Sequence, residues 1–425
     1  MLVNLRMVCC GMVLGLLHAS FAVAQPVIKV LHTLGSTAPL VLGAGGVLYG
    51  VGSGQIFPEC PGGCGGIVSL TAPASATGPW TETTIYAFTS IQDGIGDETL
   101  LLAPNGVLYG STGFGGTGCQ GTGCGTAFSL APPTVAGAPW TKETFALNGP
   151  DLPNSLVLSH GVLYGTSYDG GTSSACFVGC GTFFSVTPPS AGQPGWSMHV
   201  LYSFTGSGGD AHPVSIIVGS NGEFFGTAGD VACPSGCSYV FSMTQDAPGS
   251  PWNETVLYSD TGTDSPNNVI GIVLGTDGVI YGTTYYGGAN GNGSVFSLTP
   301  PASPGGSWTE TTLYSFAGVP DAAQPNAGLL IGPGGVLYGT SYFGGRGEVH
   351  CQLGGSQGCG TVFSLTPPAS PGGRWTEQVL HAFDDGNVGA WPTTGLTLGP
   401  NGVLYGSTSV GPGRTTGGLV FSLQP

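Results

Sequence analysis

Cations are nearly missing from this sequence: six lysines and arginines stand against 22 aspartates and glutamates in 425 residues, a formal net charge of −16. So few positive side chains leave little to neutralise a phosphate backbone or an anionic lipid surface, which excludes nucleic acid as an expected partner. Charge of either sign is scarce, at 7% of residues, so solubility must rest on serine, threonine, asparagine and glycine with a thin acidic coat. Long apolar runs are lacking as well, and no segment approaches the roughly 20 residues that span a bilayer. The apolar stretch at residues 7–17 is short, follows Arg6 and leads to Ala22-Val23-Ala24. That order reads as a secretory signal peptide over residues 1–24, cleaved near Ala24, in preference to a membrane anchor. Cys9 and Cys10 would leave with it, and the remaining chain, residues 25–425, is expected in the periplasm or outside the cell.

Glycine and proline are in excess, at 80 and 33. Such a composition borders on low-complexity disorder, but 40% hydrophobic residues and a positive mean hydropathy supply a core. The excess is ordered into repeats. The core G-V-L-Y-G recurs with small changes at Tyr49, Tyr109, Tyr164, Phe225, Tyr281, Tyr338 and Tyr405, at intervals of 55 to 67 residues. That period is too long for leucine-rich or ankyrin units and suits one four-stranded sheet per copy. An apolar first run such as IVLGTDG ends in Asn-Gly, Asp-Gly or Gly-Gly in six copies and in His160-Gly161 in the other. These dipeptides tolerate positive φ at both positions of a tight type I′ hairpin, so VLYGTT is the antiparallel second strand. A glycine-rich loop leads to a third run, G-T-V-F-S-L. A Pro/Ser/Gly connection then leads to a fourth, which opens on Trp80, Trp140, Trp196, Trp252, Trp308 or Trp375.

Only six fourth runs carry the tryptophan, and the seventh lies at the other end of the chain: residues 27–34, VIKVLHTL, align with the VLYSF part of the run, while the C-terminus stops at a third run, VFSLQP. A closed ring accounts for both ends, with the N-terminal strand completing the last sheet. The expected fold is therefore all-β, a seven-bladed β-propeller of four-stranded antiparallel blades over residues 25–425. The six tryptophans are expected to be packing residues near the start of each outer strand.

The pattern YGTTxxGGxxxxGTVFSLTPP followed by WTETxLYSF is similar to the GloVer tandem-repeat family of secreted bacterial proteins, over nearly the whole chain after residue 24. The resemblance implies secretion but no catalytic residues. Members often end in a surface-sorting segment, and no apolar tail follows the last repeat here. The expectation is therefore release and not anchoring.

Ten cysteines remain after residue 24, as Cys60/Cys64, Cys119/Cys124, Cys176/Cys180, Cys233/Cys237 and Cys351/Cys359, all between the second and third runs of a copy. Neighbouring thiols in an oxidising compartment are expected to form disulfides. Two-thiolate metal sites are the alternative, but no C-x-x-C or histidine pair accompanies them. Antiparallel order brings these loops to the same face as the blade-to-blade loops, which carry Asp93, Asp97, Asp151, Asp210, Asp264, Asp321 and Asp384. Beside them come Phe114, Tyr168, Tyr285, Tyr286, Tyr342, Phe343 and Trp391. Carboxylates near flat aromatic faces suit glycan recognition, whereas an aspartate repeated in each loop can instead cap its own backbone. His212 and His350 map to the same rim and could act as bases. The G-x-S-x-G at residues 354–358 and the G-x-G-x-x-G at residues 113–118 lack the strand and helix context their chemistry needs.

The expected function is a secreted, non-catalytic, monomeric module that binds an extracellular glycan or protein and carries no cofactor and no metal. The alternatives are an extracellular polysaccharide hydrolase or lyase on the same scaffold, and a structural surface protein.

Overall fold

The computed structural model describes residues 26–34, 39–52, 65–75, 78–90, 93–116, 123–145, 150–189, 195–206, 210–230, 238–259, 268–303, 305–346, 351, 357–370, 372–384, 386–412 and 417–425. The described strands form seven antiparallel sheets arranged as the blades of a ring, numbered here in chain order, with no α-helix among the described residues. Blade 5 shows the plan: Val269–Leu274, Ile280–Thr284, Ser294–Thr299 and Thr309–Ser315 pair in sequence order from first strand to fourth. In blades 6 and 7 the first strand is broken into two short pieces, Ala322–Pro325 with Leu330–Ile331 and Ala390–Pro392 with Thr397–Leu398.

The ring closes as the two chain ends require. Val27–Thr33 pairs antiparallel with the last strand, Leu419–Gln424, from Val27 opposite Gln424 to Thr33 opposite Leu419, with an irregularity between Val30 and His32. Leu31 and Leu34 of this N-terminal segment are buried, and the Leu34 amide donates to the Gly418 carbonyl at 2.8 Å.

The core lies between blades. The buried cluster that joins blades 4 and 5, for example, holds Phe225 and Val240 from one and Ile272, Ile280 and Phe296 from the other. Two repeated devices build these junctions. In blades 2 to 7 the glycine after the hairpin aromatic leaves room for the phenylalanine of the third strand, so that a Cβ at Gly165 would come within 2.6 Å of Phe184. Each tryptophan in turn packs edge-on against the hairpin aromatic of the preceding blade. Tyr49–Trp140, Tyr109–Trp196, Tyr164–Trp252, Phe225–Trp308 and Tyr281–Trp375 have ring centroids 5.9 to 6.3 Å apart, and Trp80–Tyr405, at 6.3 Å, carries the same contact across the closure. Such pairs contribute about 0.5–1.5 kcal/mol each beyond their burial. Tyr338 of blade 6 has no tryptophan to meet, because blade 7 takes its fourth strand from the N-terminus. Tyr338 and Ile28 of that strand pack on the same buried cluster.

The hairpins correct one expectation. Six are three-residue turns closed by an amide-to-carbonyl bond such as Gly275 to Val279 at 2.8 Å, and the two-residue turn appears in blade 3, where Ser159 pairs with Val162 around His160-Gly161. In two of the six, the turn Asn or Asp serves as a side-chain acceptor. Asp277 Oδ1 takes the Val279 amide and Asn105 Oδ1 the Val107 amide, both at 3.2 Å, while the following Gly278 and Gly106 supply the positive φ.

Candidate functional site: the loop face

In blades 2, 3, 5 and 6 the loop between second and third strands leaves the sheet through a buried hydroxyl clasp. There the second residue after the hairpin glycine is Ser or Thr, and its hydroxyl meets the first residue of the third strand: Thr112 with Thr126 at 2.9 Å, Ser167 with Thr182 at 2.7 Å, Thr284 with Ser294 at 2.9 Å and Ser341 with Thr361 at 2.8 Å. Buried hydroxyls need partners, and this pairing supplies them while fixing where the loop departs.

The blade-to-blade segments then dock on these loops. The amides of His212, Gln324 and Trp391 donate to the carbonyls of Cys180, Asn292 and Cys359 of the preceding blade at 2.7 to 2.8 Å. All three donors have left-handed backbone, φ 53, 53 and 55, and each precedes a proline. Non-glycine residues rarely hold such a conformation, and it persists only where surrounding contacts enforce it. One backbone device thus presents a different side chain at three equivalent places on the face: imidazole, primary amide and indole.

The rim aspartates that are described act on their own loops. Asp321 accepts the amides of Ala322 at 2.7 Å and Ala317 at 2.8 Å and the Tyr314 hydroxyl at 3.0 Å. Asp384 accepts the Gly386 amide at 2.9 Å, and Asp93 accepts the Thr89 amide at 3.1 Å. Asp97, Asp151 and Asp210 sit on first strands with only their backbone described, and Asp264 and His350 lie outside the described residues.

The aromatics divide. Phe114 is 49% and Tyr168 44% exposed, whereas Trp391 is buried, its ring stacked over Tyr342 at 6.1 Å. Burial leaves that indole little surface for a ligand. Tyr285 and Tyr342 are half-buried, in edge contacts with Tyr286 and Phe343. His212 lies flat on Tyr168 at 4.5 Å, with Nδ1 2.9 Å from the Tyr168 carbonyl oxygen and 3.5 Å from an Asp169 carboxylate oxygen.

Disulfides join Cys176 to Cys180 and Cys351 to Cys359, with Cα atoms 5.2 and 5.4 Å apart, and Cys124 is disulfide-bonded as well. Cys60, Cys64, Cys119, Cys233 and Cys237 lie outside the described residues. Sequence reasoning missed Phe177, which is fully exposed at the tip of the first of these stapled loops. The signal was an aromatic residue between two close cysteines, C-F-V-G-C.

Farther out, the residues two beyond Trp80, Trp140, Trp252 and Trp375 face the preceding blade, and their chemistry changes around the ring. His32 Nε2 meets Glu82 at 2.7 Å across the closure, Lys142 bonds Asp93 between blades 1 and 2, and the Tyr202 hydroxyl donates to Glu254 at 3.1 Å between blades 3 and 4. Between blades 5 and 6 the place of Lys142 is taken by Glu377. Burial, and then the negative charge of Asp321, pushes the Glu377 carboxyl up to about 8. The folded protein therefore keeps a proton there that the unfolded chain releases near 4.5. This contribution to stability is complete below about pH 4.5 and is lost as pH rises to about 8. His381 works in the opposite sense, because burial lowers it to about 4 and stability is lost on acidification below its ordinary 6.5. The readout is thus the difference between wild type and Glu377→Gln. The variant's melting temperature should gain roughly 2 °C over wild type between pH 5 and pH 9, after allowance for partial exposure of the site. An offset that does not change with pH would show that Glu377 ionises freely.

The repeat family described as the Gloeobacter/Verrucomicrobia repeat matches residues 213–425, half of the sequence. The chain belongs to this family. Its repeat thus accounts for blades 4 to 7, and the same strand plan in blades 1 to 3 extends that architecture round the ring. No curated protein sequence matches the chain. Among solved structures, this member of the Gloeobacter/Verrucomicrobia repeat family is similar to the extracellular domain of a protein of B. thetaiotaomicron described as a one component system. That match has a TM-score of 0.53 and 8% identity over 93% of this chain and 40% of the other. A fungal alcohol oxidase in complex with copper is similar with a TM-score of 0.55 and 15% identity, over 93% of this chain and 75% of the oxidase. The chain thus spans about 40% of the length of the bacterial domain. At these identities the likeness is one of fold.

Proposed function

We propose that this protein is a non-catalytic binding module that acts outside the cytoplasm and recognises carbohydrate through its loop face. The observation that carries the reading is where aromatic surface is left open. The Phe, Tyr and Trp residues more than a third exposed, among those described, are Phe114, Tyr168, Phe177 and Tyr286, and all four belong to the loops between second and third strands or to their bases. A fold that buries eleven phenylalanines below 2% exposure and leaves flat rings free on one face has a use for them there. Sugars present C–H faces that stack on such rings, and their hydroxyls suit the neighbouring polar groups; Asp97, Asp151, Asp210 and Asp264 are the rim acids proposed to take part. Disulfides in the same loops fit an oxidising compartment.

The test is a glycan array probed with the purified protein, then titration of the best binder. Phe177→Ala should leave the melting temperature unchanged to about 1 °C, because the ring touches little, and should weaken binding about tenfold, the equivalent of one stacking contact. Absence of binding to any glycan, or turnover of a bound polysaccharide, would overturn the reading.

A further inference from the structure

Between blades 5 and 6 the loop face holds a cleft of about 120 Å³ lined, among the described residues, by Asn292, Val319, Gln324, Phe343, Gln357 and others, and by no charged side chain of these. It is small against the roughly 300 Å³ at which sites for drug-sized molecules begin. It therefore has room for a single terminal ring and not for a chain. Three primary amides line it, and each offers two donors and one acceptor, the inventory that pairs with adjacent hydroxyls. Phe343 and Val319 supply apolar surface beside them.

Gln324 connects the cleft to the architecture of the whole face. Its backbone is held at φ 53 by the bond from its amide to the Asn292 carbonyl at 2.7 Å and by Pro325, so its side chain is aimed by a strained and repeated device. The side-chain oxygen Oε1 is buried and has no hydrogen-bond partner among the described residues. Buried acceptors are seldom left so. A ligand hydroxyl in the cleft would satisfy it, and a ligand carboxylate would be repelled by it and would find no lysine or arginine among the described lining residues.

We propose that this cleft is the subsite for a neutral sugar ring, read through the amides of Asn292, Gln324 and Gln357 with Phe343 as a wall. The proposal rests on the reading of the loop face as carbohydrate-binding and adds both a place and a charge class to it. Equivalent positions carry His212 and Trp391, whose rings are spent on Tyr168 and Tyr342. Of the three, the amide is therefore the one left open to a ligand.

Saturation-transfer NMR with methyl β-glucoside, methyl β-galactoside, methyl α-mannoside and glucuronate tests this on the intact protein. At least one neutral glycoside should give a signal and glucuronate none. Gln324→Gly removes the amide at a position whose φ suits glycine, so the protein should fold at least as well while that signal falls about tenfold. Phe343→Ala should reduce it as well, and Tyr168→Ala, two blades away, should not. A neutral signal that survives Gln324→Gly overturns the cleft as its site, and a preference for glucuronate overturns the charge class. The wider reading stands in both cases if the array still shows glycan binding. No glycan bound by either method overturns both.

Discussion

A chain lacking residues 26–34 is expected to melt about 6 °C or more below the full chain and to aggregate on warming. The segment is short, but its place in the ring makes the loss large. Leu31 and Leu34 are buried, Ile28 and Val30 half-buried, and Leu419, Val420, Phe421 and Leu423 on the partner strand are all below 2% exposure. Withdrawing two buried and two half-buried aliphatic side chains costs roughly 5 kcal/mol, against a net stability for ordinary domains of about 5–15 kcal/mol. The backbone of Leu419–Gln424 would also become an open edge whose ladder groups seek another strand. A peptide covering residues 26–34, added in excess, should bind that edge and restore part of the lost melting temperature. If the truncated protein melts with the full chain, the closure contributes nothing and the ring is held by its other junctions.

The features legible in the sequence were those written once per repeat with a strand's period. Seven hairpin aromatics, six tryptophans and one unpaired strand at each end were enough to give the blade number and the manner of closure. The two loop sets also meet on one face, as the amide bonds from His212, Gln324 and Trp391 to the preceding blade require. What could not be read depends on contacts between copies. Asn105 and Asp277 looked like residues chosen for positive φ, but their side chains accept a hydrogen bond and the glycine after each supplies the φ. Trp391 looked like a rim aromatic because it follows an acidic loop, yet the left-handed turn before Pro392 carries its ring onto Tyr342. His, Gln and Trp share no chemistry at that position, so no residue pattern announces the turn, and only the proline after it recurs. Glu377 shows its burial only when it is set against Lys142, its counterpart beside Asp93.

The same junction yields the second large effect, through two glycines in one loop. Gly291 and Gly293 both have positive φ, 73 and 88, and both follow the second strand of blade 5. A Cβ on Gly291 would meet nothing within 4 Å, whereas a Cβ on Gly293 would run into the Thr284 carbonyl oxygen of its own blade and lie 2.7 Å from Pro325 Cδ of the next and 3.0 Å from the Tyr285 carbonyl oxygen. The counterparts Gly125, Gly181 and Gly360 face Pro153, Pro213 and Pro392 in the same way, at 2.5 to 2.7 Å. Gly291→Ala should therefore cost backbone strain alone, about 1 kcal/mol. Gly293→Ala adds overpacking of about 1–3 kcal/mol against a proline ring and a carbonyl that cannot rotate away. Melting temperatures should fall by about 1 °C for Gly291→Ala and about 4 °C for Gly293→Ala. Hydrogen exchange at the Gln324 amide should quicken only in the second variant, because that amide bonds to the Asn292 carbonyl, one residue before the altered position. Equal losses in the two variants would mean that the glycine answers to its own φ and not to the neighbouring blade, and the proline of each first strand would then be no part of what fixes the loop face.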